Sequence, residues 1–384
     1  LSTAPLSREL VHIPYKKPAL IPGKEYRLML HAVLKKDELW AKAGHEVAWE
    51  ELELPWSLPC SSEEKVQGIP SYSLSEKELV VSGDGFKYVF NRTDGQLTSM
   101  VVQDMELLES PLRLNLWRAP LANELDNWNA SSARSSNWKE GYEYTVATEM
   151  YSAGIDRLTH QPLSFSVSET TEGVHIHIID AELMGKGEKE KKDLYIEGVQ
   201  NNGIINHYEY IINSEGTIEI RHVLKPEGKM PLWFPRIGLT LTVSDALDQV
   251  KWYGRGPQEN YPDRKTGYPT GIYASTVQAM YEPYLMPQDY GLRTDVRWLQ
   301  LTTDKGIGLQ FKMNEWFNFN IYPYSTDNLT KAMYTYQLQK QKGMTLNLDY
   351  ATTGVGCTAR GVFGAYKAMP QEYRRTISIR PMMK

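Results

Sequence analysis

The chain has 384 residues, of which 41% are hydrophobic and 23% charged. Its length suggests about two or three domains, and its apolar content is too high for a disordered chain. The net charge of −5 gives no positive field for nucleic acid or for an anionic membrane surface, so neither is expected as a partner. Because no run of about 18 apolar residues is present, the sequence predicts a soluble protein and leaves open whether it is cytoplasmic or periplasmic.

Two cysteines, Cys60 and Cys357, cannot form a disulfide framework and could hold a structural zinc ion only with help from histidines. The cysteine content therefore does not indicate the cellular compartment. Because the chain begins with Leu1 rather than Met, we expect that it has been cut and that polypeptide before Leu1 can carry chemistry of its own.

Aromatic residues and alternating patterns predict an all-β chain. The 24 Tyr and 10 Trp are residue types enriched in strands, and Gly and Pro are spread along the chain as turn residues. Each alternating segment is expected to be a half-buried antiparallel strand. In chain order these segments are 163–167, 174–178, 217–223, 239–243 and 346–350. No long window keeps a helical period, so helices should be few and short.

A change of composition near residues 55–65 predicts a domain boundary. Proline, serine and charged residues interrupt the alternation there, which suits a linker. The segment before it, about 60 residues, is short for an immunoglobulin-like sandwich of about 100 residues, so we expect its opening strands to be missing. The remaining roughly 310 residues carry enough predicted strands for one large two-sheet structure.

Carboxylates that could hydrolyse a sugar bond are not convincingly placed. Such chemistry normally needs two carboxyl groups about 5 to 9 Å apart. Glu315, after Asn314, resembles a catalytic residue at the end of a barrel strand, and Glu259 and Asp263 lie four residues apart. The chain lacks the alternating strands and helices of a barrel, so Glu315 is interpreted as an ordinary turn carboxylate. No catalytic residue is predicted on this chain.

No metal site is predicted either. His175 and His177 would point to the same side of one strand, but no neighbouring residue supplies a third ligand, so a solvent-facing strand surface is favoured. The chain has no Gly-x-Ser-x-Gly motif, and Cys357 lies in a glycine-rich loop without an adjacent histidine.

The most distinctive segment is the loop of residues 252–264, which is dense in glycine, proline, aromatic residues and opposite charges. The favoured interpretation is structural: Glu259, Asp263 and Arg264 fix the loop by charge-assisted hydrogen bonds. The alternative is that these residues line a sugar-binding concavity.

This loop resembles the Trp-x-Gly-x-Gly-Pro-x-Glu-Asn-Tyr-Pro-Asp-Arg signature of the large multidomain β-galactosidases of glycoside hydrolase family 2, in their C-terminal β-sandwich domain. Residues 43–49 resemble the end of that family's fourth, immunoglobulin-like domain. Further segments resemble its fifth domain in the family's order: 90–97, 117–124, 281–284, 287–293 and 319–321. The resemblance covers effectively the whole chain.

The resemblance implies the C-terminal part of an immunoglobulin-like domain over 1–57, a linker over 58–72 and a galactose mutarotase-like supersandwich over 73–384. It implies a non-catalytic fragment of a β-galactosidase, whose catalytic glutamates lie in a preceding barrel domain. That barrel, a galactoside substrate and further copies of the enzyme are the expected partners. No cofactor is expected on this chain, whereas Mg and Na are expected in the barrel region.

The resemblance also suggests residues at the rim of a substrate pocket. In the family, a tryptophan after a Gly-x-Gly-Gly-Asp loop stacks on the sugar; here the loop of residues 354–365 has no tryptophan, and Phe363 aligns in its place, with Arg360 in the same loop. A core position for Phe363 is the alternative. Asn123 and Glu124 are the other candidate rim residues: residues 122–124 stand where the family usually has Asp-Asn-Asp, so Ala122 removes one acid and Glu124 lengthens another. Glu259, Asn260, Asp263 and Arg264 form the signature loop, here assigned a structural role.

Two other functions are considered. An independent carbohydrate-binding module would bind galactosides without the barrel. An aldose mutarotase would need a histidine and a glutamate on a concave sheet face, and His207 and Glu209 are the pair we would test.

Overall fold

A computed structural model describes residues 3–59, 68–125, 146–185, 202–357 and 361–383. The chain is mostly β, as predicted. It divides into two compact units, Leu1–Lys65 and Val66–Lys384. The finer domain limits proposed from sequence, 1–57, 58–72 and 73–384, stay a prediction. Among the described helices, none is long and apolar enough to cross a membrane.

The first unit is built around one antiparallel pair, β1 (Tyr26–Val33) and β2 (Glu46–Leu54). Arg27 on β1 reaches across to Glu51 on β2 at 2.8 Å. Most side chains of the pair remain partly or fully exposed. An isolated two-stranded sheet is marginally stable because it buries little apolar surface.

The second unit begins with a five-stranded antiparallel meander. Its turns match the sequence: Gly85 has φ 73° in the turn after Asp84, a conformation that glycine adopts without strain. Tyr88 and Phe90 point into the core while Val89 between them is more exposed. The strands are β3 (Ser71–Leu74), β4 (Glu78–Gly83), β5 (Phe86–Asn91), β6 (Gln96–Val102) and β7 (Met105–Glu106).

The rest of the second unit forms a twelve-stranded antiparallel sheet. Its strands are β8 (Leu108–Asn115), β9 (Thr159–Thr170), β10 (Gly173–Leu183), β11 (Gly203–Ile212), β12 (Ile218–Glu227), β13 (Arg236–Val243), β14 (Gln249–Arg255), β15 (Thr270–Thr276), β16 (Arg293–Thr302), β17 (Gly308–Tyr322), β18 (Met344–Thr352) and β19 (Tyr373–Met382). All five strands predicted from alternation fall on these elements, apart from Thr217, which directly precedes β12. The main path runs β15-β14-β16-β17-β19-β12-β11-β10-β9, and β18, β13 and β8 branch from β17. The described helices are short, as expected: α1 (Ala122–Leu125), α2 (Val146–Ser152) and α3 (Thr326–Lys331).

The meander packs face to face on the large sheet through one continuous apolar core. Phe90 of β5 meets Tyr210 of β11 edge to face, with ring centroids 5.2 Å apart. The hydroxyl of Tyr88 donates to the carbonyl of Gly216 at 2.7 Å, which satisfies its polar end inside the core. Ile176 and Ile178 of β10 are also buried here, so the alternate residues of β10 lie on the opposite face of the sheet.

Candidate functional site

Two segments that are distant in sequence, 118–124 and 259–264, hold residues 353–356. We call these three segments the loop cluster. The first contributor is Arg118, whose side chain is fully buried. Its Nη1 donates to the carbonyl of Thr353 at 2.7 Å, and its Nη2 pairs with Glu124 Oε1 at 2.7 Å. The other oxygen of Glu124 accepts from the backbone N–H of Leu121 at 2.9 Å. The Glu124 carboxylate is therefore fully occupied in holding α1 and Arg118.

The signature loop holds the same segment by its backbone. Asp263 accepts from the N–H groups of Val355 and Gly356 at 2.9 and 2.7 Å, and Arg264 donates to the carbonyl of Gly356 at 2.8 Å. Asn123 donates to the carbonyl of Val355 at 3.2 Å from the other side. At Gly354 an added Cβ would lie 2.4 Å from Asp263 Cγ, so only glycine permits this approach.

Glu259 and Asn260 join the signature loop to the chain around residue 291. The Asn260 side chain is buried, and its Oδ1 accepts from both the N–H and the hydroxyl of Thr294, at 3.1 and 2.5 Å. Glu259 accepts from the N–H of Gly291 at 2.8 Å and from the hydroxyl of Tyr284. These contacts are those of a rigid, hydrogen-bonded loop.

A buried ionic group supports the cluster, and sequence reasoning missed it. Arg236, Asp289 and Asp349 have no exposed side-chain surface, and Arg236 Nη2 lies 3.0 Å from Asp289 and 3.5 Å from Asp349. Burial raises the pKa of Asp349 to about 6, although the charge of Arg236 works in the opposite direction. The N–H of Asp289 donates to the carbonyl of Ala119 at 3.1 Å, which connects this group to the loop cluster.

The structure corrects the expected half-exposure of residues 346–350. Asn347 and Asp349 should face solvent by alternation, yet both are fully buried. β18 lies between β13 and β17, and Asn320, opposite Asn347 on β17, accepts from the amide of Asn347. Asn320 in turn donates to Asp289, so the chain around Asp289 covers the polar face of this region. No local signal marks this burial, and Arg118 could be found only through its place in the segment 117–124 that resembles the family.

Phe363 is 75% exposed, so it is not a core residue. It directly precedes the short 3-10 turn Gly364–Tyr366. The backbone carbonyl of Tyr366 accepts from the N–H of Gly354 at 2.9 Å. Its ring is therefore presented on the surface of a loop whose base is anchored by the cluster. Arg360 lies outside the described residues.

Glu315 differs from its predicted place. It lies within strand β17, not in a turn, because this strand continues through Tyr322. Its carboxylate pairs with Arg375 on β19 at 2.9 Å and is more than half exposed. A surface ion pair of this kind gives it no geometry for acid catalysis.

A cavity of about 460 Å³ opens on the sheet formed by β10, β11, β12 and β19. His177, His207, Glu209 and Arg221 are among its lining residues. Burial alone would raise the pKa of Glu209, but the hydrogen bond from His175 and the charge of Arg221 outweigh it, so the pKa is lowered. His175 itself is buried, contrary to the predicted solvent-facing pair, while His177 is exposed. The mutarotase pair His207 and Glu209 stays a prediction.

Comparison with known proteins identifies the class. The family described as "Beta galactosidase small chain" matches residues 82–379, and the family "Beta-galactosidase, domain 4" matches residues 1–55. The first match covers more than half of the chain. The chain therefore belongs to the β-galactosidase small-chain family.

Curated relatives place it within larger proteins. A β-galactosidase of Priestia megaterium is 32% identical over 332 residues, which are 86% of this chain and 29% of the relative. A β-galactosidase of Vibrio cholerae is 28% identical over 338 residues, 88% of this chain and 30% of the relative. The chain spans less than a third of these relatives and corresponds to their C-terminal part.

Among solved structures, an aldose epimerase homologue from C. elegans covers 81% of this chain and 98% of its own, with 9% identity and a TM-score of 0.39. A likeness of this degree carries no argument about function.

Proposed function

We propose that this chain forms the non-catalytic C-terminal part of a β-galactosidase and completes its galactoside-binding pocket. The whole enzyme would hydrolyse terminal, non-reducing β-D-galactosides. Its catalytic carboxylates, together with any Mg or Na, would lie in a preceding barrel domain, and the assembled enzyme would be a homo-oligomer. Family membership and the partial coverage of the relatives support a catalytic domain that is separate from this chain.

The observation that carries the proposal is the anchored loop that presents Phe363. Asp263, Arg264 and Asn123 fix the backbone of residues 355 and 356, while the Phe363 ring remains largely exposed. An aromatic face suits the apolar side of a pyranose ring, and a fixed loop lowers the entropy lost when the two stack.

The carboxylates of the loop cluster are unsuited to bond cleavage. Glu124 is held by Arg118 and the Leu121 N–H, Asp263 by two backbone N–H groups, and Glu259 by Gly291 and Tyr284. A catalytic acid or nucleophile must instead face the glycosidic bond. The pocket wall and the chemistry would thus belong to different parts of the enzyme.

The 384-residue chain can be assayed alone on a nitrophenyl β-galactoside. We expect no turnover above buffer, and measurable, saturable turnover would contradict the proposal.

Calorimetry with galactose and lactose tests the alternative, an independent carbohydrate-binding module. An isolated pocket wall should give no detectable heat of binding, whereas saturable binding would indicate an independent carbohydrate-binding module.

Phe363→Ala should reduce galactoside turnover when the chain is part of the whole enzyme. Loss of a stacking contact of about 0.5–1.5 kcal/mol corresponds to a fall in kcat/KM of roughly 2- to 10-fold. The matched control is Tyr336→Ala, because Tyr336 is an equally exposed aromatic residue, at 79%, on a different loop. If F363A left kcat/KM unchanged, or if both substitutions lowered it equally, Phe363 would not be part of the pocket.

A further inference from the structure

The outer face of β10 and β11 brings together the side chains of His175, His177 and Glu209. His177 lies directly opposite Glu209 in the strand register, and His175 is two residues earlier on the same face. One ligand atom from each residue lies within 4.8 Å of the other two. The third ligand that the histidine pair lacks in sequence is therefore supplied by the neighbouring strand.

We propose that these three residues bind a transition-metal dication of the Zn²⁺ class. Two imidazole nitrogens and one carboxylate oxygen are a donor set that zinc uses in sites with an open fourth position. Around a tetrahedral zinc ion, with bonds near 2.1 Å, ligand atoms are separated by about 3.4 Å. Small side-chain rotations suffice to reach that spacing from the present arrangement.

The hydrogen-bond partners of His175 orient its imidazole ring for metal binding. Its Nε2 lies 2.9 Å from the hydroxyl of Thr170, and its Nδ1 lies 3.0 Å from Glu209 Oε1. The Thr170 oxygen accepts from the N–H of Glu172 at 3.1 Å, so its hydroxyl can donate to Nε2, and Nδ1–H then donates to Glu209 Oε1. A metal ion bound at Nδ1 would displace that proton to solvent, and Nε2 would then carry the proton and donate to the Thr170 oxygen.

The local charge also favours a cation. Arg221 lies 3.1 Å from Glu209 Oε2, 2.8 Å from Glu219 and 3.8 Å from Glu172. One guanidinium against three carboxylates leaves a net charge of −2 in this group. Arg374 and Arg375 also line the cavity, but each pairs with a carboxylate of its own, Glu372 and Glu315. Arg221 holds Oε2 and leaves Oε1 turned toward the histidine pair. His177 and Glu209 both line the cavity, so the open coordination position would face it.

A second histidine and carboxylate group, formed by His160, Asp180 and Glu182, differs in its hydrogen bonds. His160 Nδ1 lies 2.8 Å from Glu182 and its Nε2 lies 2.7 Å from the carbonyl of Asp94. A carbonyl can only accept, so Nε2 carries a proton, and Nδ1 faces a carboxylate. The hydrogen bond with Glu182, the largest cause, raises the pKa of His160 to about 9. A protonated imidazole is no metal ligand, so this group is assigned as an ion pair.

The test is calorimetric titration of the untagged 384-residue chain with ZnCl₂ after treatment with chelator. We expect binding that is weakened at least tenfold in both His177→Ala and Glu209→Gln. The matched control is His207→Ala, because His207 lines the same cavity but lies outside the triad; it should leave the affinity within about twofold. His177 is exposed, so its removal should not impair folding, which circular dichroism checks.

Cobalt provides an independent readout. Co²⁺ in a site with nitrogen and oxygen ligands gives visible d–d absorption, which should appear in the wild-type chain and in H207A and be lost in H177A. Absence of saturable Zn²⁺ binding would overturn the proposal. If H177A and E209Q bound zinc as tightly as the wild-type chain, the zinc would lie elsewhere and the proposal would be wrong. The same holds if H207A lost affinity as much as they do.

Discussion

His222 is a fully buried imidazole with a partner on each nitrogen. Its Nδ1 lies 2.6 Å from the Tyr350 hydroxyl and its Nε2 lies 3.1 Å from Asn206 Oδ1. The amide of Asn206 donates to Asp180 at 2.7 Å, so its oxygen is the acceptor for Nε2–H. Tyr350 then donates to Nδ1, and the neutral imidazole satisfies both contacts.

Acid should destabilise the fold through His222. Burial, the largest cause, lowers the pKa of His222 to about 3, whereas the unfolded chain titrates near 6.5. The unfolded state therefore binds the extra proton first, so the stability that His222 contributes is complete above pH 6.5 and falls as pH falls toward 3. Urea unfolding between pH 7 and 4 measures this, and NMR should detect a neutral imidazole at pH 5. A protonated ring at pH 5 in the folded chain would contradict the assignment.

Among loops, the segment 354–356 has two of its backbone N–H groups, those of Val355 and Gly356, satisfied by one carboxylate, that of Asp263. Asp263→Asn removes one of the two acceptors for the Val355 and Gly356 N–H groups, which leaves a partly buried donor unpaired at about 1–3 kcal/mol. Hydrogen exchange of the peptide that contains these residues should accelerate by roughly 10-fold or more. Asp245→Asn is the matched control at an exposed position, and equal acceleration in both variants would mean that Asp263 does not anchor the loop.

Strands were the part of the fold most readily predicted from sequence. Alternation is local, so the segments 174–178 in β10 and 239–243 in β13 could be recognised without knowledge of their neighbours. Burial of a polar face is set by distant contacts. Asp349 is covered through Arg236 and Asp289, which lie 113 and 60 positions away, and no alternation pattern encodes that.

In the candidate site, too, residues with a local sequence signal were predictable and their distant partners were not. The signature residues Asp263 and Arg264 could be singled out because charged residues in a glycine- and proline-rich loop need partners. Their partners are backbone groups at 355 and 356, which carry no side-chain signal. Likewise, Glu209 could join His177 only once the register of β10 and β11 was known.

At the scale of the whole molecule, the two units should differ in independent stability. A chain of residues 68–384 retains both sheets of the second unit and their common core, so it should unfold cooperatively. A chain of residues 1–59 retains only the β1–β2 pair and should lack a cooperative transition. Circular dichroism on heating compares them, and non-cooperative melting of 68–384 would contradict the division.

The position of β19 has a consequence for synthesis of the protein. This strand, the last one described, inserts between β12 and β17 in the interior of the large sheet. On the ribosome, the emerging polypeptide would display two unpaired edges until Tyr373–Met382 leaves the exit tunnel. Chaperones should therefore engage nascent chains before this strand emerges, and a stop codon placed before Tyr373 should yield aggregates even though the other described strands of the unit have been made.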